Sequence, residues 1–100
     1  MEGITLSQLQ KNREKLLAIF AKFHSSNVYV FGSVARGEAT TSSDVDFLCE
    51  PDYKAELGLY PMNLEDELKA FLNVDVDVVT PSILENRFIG PVVKAEMVAL

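Results

Sequence analysis

The chain has 100 residues, 48% of them hydrophobic and 24% charged, with a formal net charge of -6 and a single cysteine. That composition suits one folded unit with one core, residues 1–100 as a single domain, and leaves no tract polar enough for disorder. It excludes an internal disulfide and a membrane-spanning helix, because no apolar run nears the roughly 20 residues a bilayer requires. An acidic chain also lacks the basic stripe with which a domain grips a nucleic-acid backbone unaided. With no basic segment leading a long apolar one at the N-terminus, the expected location is the cytoplasm.

Thr5 followed by Gln8 has the form of a capping box, and Leu6, Leu9, Leu16, Phe20 and Phe23 recur near helical spacing. One helix over about Thr5 to Phe23 is predicted. His24, the only histidine, falls near its C-terminus, where it caps carbonyls and complements the helix dipole rather than serving as base or ligand. Val28-Tyr29-Val30-Phe31 is a β-branched and aromatic run stopped by Gly32, which predicts a buried strand feeding a turn. Ser33 to Arg36 has room for one helical turn before Gly37 ends it, and Glu38 to Ser43 reads as a loop.

A second strand is predicted from Asp44 to Glu50, closed by Pro51. Cys49 lies in its apolar part and reads as a small buried side chain. From Pro51 to Leu72 the pattern predicts a short helix and then a longer one, punctuated by Gly58 and Pro61. The longer helix carries the stripe Leu64, Leu68, Phe71 and Leu72. Val74 to Val79 predicts a third strand, and Thr80-Pro81-Ser82 opens a last helical region that Gly90-Pro91 breaks in two. In that region Leu84, Phe88, Ile89, Val92 and Val93 form an apolar stripe, read as core in preference to an interface.

The chemistry concentrates in three places. Asp44 and Asp46 are two apart on a predicted strand, so both carboxylates leave one face while Val45, Phe47 and Cys49 face the core. Two like charges that close repel unless a cation compensates them, and carboxylate oxygens suit hard divalent cations such as Mg²⁺. Gly32 and Ser33 stand at a strand-to-helix turn where a missing Cβ lets a phosphate approach the backbone. Arg36, three residues on, offers a planar cation for phosphate oxygens. Asp75 and Asp77 share a face of the third strand, and either could supply a third carboxylate. The apolar flanks Val76 and Val78-Val79 favour Asp77. Each feature alone is weak, but Gly-Ser, ten residues, then Asp-x-Asp arises by chance in a chain this long only about once in a thousand.

Gly32-Ser33-Val34-Ala35-Arg36-Gly37 through Asp44-Val45-Asp46-Phe47-Leu48 resembles the signature of the DNA polymerase β-like nucleotidyltransferases. Within that superfamily the chain is similar to the minimal nucleotidyltransferases, the antitoxin type often called MntA. Val76-Asp77-Val78-Val79-Thr80 resembles the family's third-carboxylate strand. The resemblance implies an α/β (α+β) fold, a mixed central sheet flanked by helices, with Asp44, Asp46 and Asp77 holding two Mg²⁺ ions and Gly32, Ser33 and Arg36 binding nucleotide. It also implies transfer of AMP from ATP to a hydroxyl, a tyrosine of a HEPN-domain ribonuclease toxin, as in a type VII-like toxin-antitoxin pair. Two other readings stand beside it. The chain could neutralise its partner by docking alone, or it could modify a small molecule.

Overall fold

A computed structural model of the chain describes residues 3–100. Its centre is a four-stranded mixed sheet in the order β3-β2-β1-β4. β1 (Ser25–Phe31) pairs antiparallel with β2 (Val45–Pro51) and with β4 (Val98–Ala99), and β2 pairs parallel with β3 (Val76–Val79). The expected mixed sheet with flanking helices is what forms.

Strand alternation sorts β2 into two faces. Val45, Phe47 and Cys49 pack with Leu9, Leu16, Phe20, Val30, Leu64, Leu68, Val76 and Val78 into the main core. Phe20 and Phe47 meet edge to face, with ring centroids 5.1 Å apart. Burying each of these rings completely contributes about 1.5–3 kcal/mol. On the opposite face, Leu48 joins Phe31 and Val93 in a smaller cluster supported by Tyr29, Val79, Ile83, Leu84 and Met97. The carboxylate of Asp46 emerges on that second face, beside the smaller cluster.

Several elements differ from the sequence reading for local reasons. The first helix is two: α1 (Leu6–Lys11) and α2 (Arg13–Lys22). The Thr5–Gln8 capping box does start α1. Asn12 ends it, with a backbone N–H on the Leu9 and Gln10 carbonyls and a side-chain amide 2.9 Å from the Gln8 carbonyl. An asparagine that satisfies local carbonyls this way competes with helix continuation. His24 lies beyond α2 in a turn with φ of 59°, leading directly into β1. Residues 52–61 form turns rather than a short helix. There Asp52 accepts the Lys54 N–H at 3.0 Å, and Gly58 has φ of 59°. α4 (Met62–Leu72) then follows, and Leu64 and Leu68 are its fully buried residues.

The last helical region begins as a 3-10 turn over Pro81–Glu85, and α5 spans Gly90–Glu96. Gly90-Pro91 therefore starts α5 instead of breaking a helix. The break falls at Asn86, whose Oδ1 accepts the Phe88 and Ile89 N–H groups at 2.9 and 3.0 Å. Gly90 is buried so close to the Leu84 carbonyl that a Cβ would collide with it. The apolar stripe of this region is split. Val93 is buried, whereas Phe88, Ile89 and Val92 are 80%, 43% and 51% exposed, so most of it is surface and not core. β4, absent from the sequence reading, pairs Val30 with Val98, and the Leu100 N–H donates to the Val28 carbonyl at 3.0 Å.

Candidate active site

The end of β1 and the start of β2 are bound to be neighbours because the two strands pair with Phe31 opposite Asp46. The chain leaves β1 at Gly32 with φ of 75°, a conformation that costs a side-chain-bearing residue free energy, and enters the five-residue α3 (Gly32–Arg36). Absence of a Cβ matters for space as well. One built on Gly32 would overlap the Asp46 carboxylate. The turn and the acidic group are thus packed against each other. Gly37, in the left-handed region at φ of 74°, closes α3 and leaves the Arg36 side chain projecting into solvent.

The parallel ladder between β2 and β3 sets Asp46 directly opposite Asp77. Opposed residues of adjacent strands share a face, and the strands lie about 4.8 Å apart. Asp44 is exposed and sits one residue before β2, rather than within it. Asp75 also precedes its strand. Its carbonyl accepts the Val45 N–H at 2.9 Å, and its side chain is exposed. The cross-strand position facing Asp46 therefore belongs to Asp77.

Electrostatics reflect this crowding. Asp46 is half-buried, and its carboxyl is pushed up from 3.8 to about 6, first by loss of hydration, then by the negative charges of Asp77 and Asp44. Arg36 pulls it the other way, and Glu96 adds to the rise. A carboxylate raised by burial and then by like-charged neighbours lacks compensating positive charge, and oxygen donors in that state suit a hard divalent cation. Among the described residues no three His, Cys, Asp or Glu side chains close into a ready-made cage. The donor chemistry fits such an ion; the carboxylates stand on one face without converging on a single point.

Glu96 is the group that sequence reasoning missed. Its Oε2 accepts the Gly32 N–H at 3.1 Å, and its Oε1 accepts from Arg36 Nη1 at 2.6 Å. Arg36 Nε also reaches Glu38 at 3.3 Å. These carboxylates hold the Arg36 guanidinium above its usual range, Glu96 most strongly. The placement follows from the antiparallel register of β1 and β4. Val30 opposes Val98, so Gly32, two residues on from Val30, comes level with Glu96, two residues back from Val98. No local motif marks it, because Glu96 is 64 residues from Gly32 and belongs to the last turn of a short helix.

A second polar cluster lies elsewhere. Tyr60 Oη is 2.9 Å from Ser25 Oγ and 3.2 Å from Cys49 Sγ. Burial raises both the Cys49 thiol and the Tyr60 phenol, so each stays protonated and inert at neutral pH. Cys49 is structural, as its apolar setting implies.

The chain as a whole is matched among known proteins. The family described as nucleotidyltransferase domain matches residues 11–100. A Methanocaldococcus jannaschii relative, named as a candidate protein adenylyltransferase, is 31% identical over 94% of this chain and 96% of its own. The protein adenylyltransferase MntA of Thermococcus cleftensis is 38% identical over 65% of each chain. A solved structure described as a candidate minimal nucleotidyltransferase is 36% identical, covers 97% of both chains and superposes with a TM-score of 0.78. A toxin-antitoxin structure with AMP-PNP shares the fold at a TM-score of 0.68 and 21% identity, covering 88% of this chain and 71% of that one. With its fold, its sequence and its relatives in agreement, the chain belongs to the nucleotidyltransferase family, in the minimal, MntA-like branch, and is a nucleotidyltransferase.

Proposed function

We propose that this nucleotidyltransferase moves AMP from ATP to a hydroxyl on a partner protein, a tyrosine of a HEPN-domain ribonuclease toxin, and thereby acts as its antitoxin. The observation that carries the reading is the pairing of Asp46 with Asp77 on one sheet face, beside a glycine turn that holds the Asp46 carboxylate in contact. Relatives named protein adenylyltransferase and a neighbour solved as a toxin-antitoxin complex with AMP-PNP support the substrate and the partner.

Asp44, Asp46 and Asp77 would hold magnesium, two ions by the family resemblance, which when bound neutralises the α-phosphate and makes the acceptor hydroxyl easier to ionise. Gly32, Ser33 and Arg36 bind the β- and γ-phosphates through backbone N–H, hydroxyl and guanidinium. The acceptor oxygen forms a bond to the α-phosphorus as the bond to the bridging oxygen breaks. Pyrophosphate departs with that electron pair, and a carboxylate of the site takes the hydroxyl proton. Positioning and charge supply the catalysis, so no histidine is required.

Incubation with labelled ATP, Mg²⁺ and a cognate HEPN-domain toxin is expected to label a toxin tyrosine. No label with folded protein and each of the four nucleotides refutes the assignment. The exposed patch of Phe88, Ile89 and Val92 favours one further reading, in which docking itself neutralises the partner. Asp44→Asn combined with Asp46→Asn separates the two, since it abolishes neutralisation by transfer and spares neutralisation by docking.

A further inference from the structure

We infer that Glu96 is a built-in competitor of the nucleotide, occupying the donors that the triphosphate needs and so setting nucleotide affinity. The inference rests on the reading that Gly32, Ser33 and Arg36 bind phosphates. In the structure the Gly32 N–H and the Arg36 guanidinium are both already taken, by the two oxygens of one carboxylate, at 3.1 and 2.6 Å. A carboxylate and a phosphate present the same feature to these donors, negatively charged oxygens that can accept from a backbone N–H and a guanidinium at once.

Two further features argue that this contact is more than a surface ion pair. The Glu96 side chain is only 16% exposed, while its partner Arg36 is 41% exposed, so an anion arriving from solvent meets the guanidinium that Glu96 holds. Glu96 sits where α5 gives way to β4, and the register of Val30 with Val98 holds it level with Gly32.

The consequence is an exchange. Nucleotide binding must displace Glu96, and the observed affinity is the intrinsic affinity multiplied by the fraction of molecules in which Glu96 has swung away. Removing the carboxylate charge is expected to tighten binding roughly tenfold, the effect of a competitor that occupies the donors about nine-tenths of the time.

The test is calorimetric titration of the full chain with inorganic tripolyphosphate and with ATP, each with Mg²⁺. Wild type is compared with Glu96→Gln, Glu96→Ala, Ser33→Ala and Arg36→Ala, and the unliganded melting temperature of each is measured. Glu96→Gln is isosteric and keeps an acceptor for Arg36, so it decides the matter if Glu96→Ala folds poorly. The expected result is opposite signs in one variant, with tighter tripolyphosphate and ATP binding beside an equal or lower melting temperature. Equal or weaker binding by folded Glu96→Gln, while Ser33→Ala and Arg36→Ala bind more weakly than wild type, overturns the competitor and leaves the phosphate site standing. If Ser33→Ala and Arg36→Ala also bind as wild type does, the phosphate-site reading fails and takes this inference with it.

Discussion

Asp46→Asn is expected to stabilise the protein while abolishing nucleotide transfer. In the fold the Asp46 carboxyl is raised from 3.8 to about 6, so the folded state holds its proton more tightly than the unfolded chain does. The sign follows from linkage: below about pH 4 the group is protonated in both states and costs nothing, and as pH rises to about 6 the fold pays for keeping a carboxylate there. At full burial a shift of that size corresponds to about 3 kcal/mol. Asp46 is only half-buried, and solvent screening reduces the figure to about 1–2 kcal/mol. For a domain of this length, 1 kcal/mol moves the melting temperature by roughly 4–8 °C. Thermal melts without divalent cation are therefore expected to show the variant several degrees above wild type at pH 7, and the two converging near pH 4. Mg²⁺ is expected to raise the wild-type melting temperature and to do so less for the variant. A variant equal to or below wild type at pH 7, or a gap that persists unchanged at pH 4, would refute the reasoning from charge crowding.

Gly32→Ala forces a side-chain-bearing residue to φ of 75° and drives its Cβ into the Asp46 carboxylate. A cost of about 1–3 kcal/mol in urea unfolding is expected, together with loss of labelling activity. Asp77→Asn is expected to lower transfer on the order of a hundredfold, and Asp75→Asn to leave it within a few-fold. Steady-state labelling rates of the two variants check this, and the reverse order would move the third carboxylate to Asp75. Phe20→Ala, in the main core, is expected to cost about 3–5 kcal/mol, whereas Phe88→Ala, at the exposed patch, stays within about 0.5 kcal/mol. Parallel denaturant titrations measure both.

Much of the architecture was legible because it rests on short-range rules. The run Val28 to Phe31 stopped by glycine, the alternation around Asp46 and the Thr5–Gln8 capping box each encode their element locally. Errors arose where a polar side chain satisfied the backbone in its own neighbourhood. Asn12 and Asn86 both end a helix by hydrogen bonding, and periodicity does not register this. Gly90 has the local signature of a helix breaker, whereas its small size serves close packing against the Leu84 carbonyl. The stripe from Leu84 to Val93 likewise has the spacing of core, because one face of a helix is normally buried. Only packing decides that Val93 turns in and Phe88, Ile89 and Val92 turn out.

By itself the sequence determined the family, the two aspartates spaced two residues apart and the glycine turn, since each is a pattern held within a few neighbouring residues. The tertiary structure decided what lies opposite what. Strand register places Asp77, not Asp75, across from Asp46, and it carries Glu96 to Gly32 over 64 residues of chain. Register is set by which faces can be buried together, a property of the assembled sheet that no local stretch of residues contains.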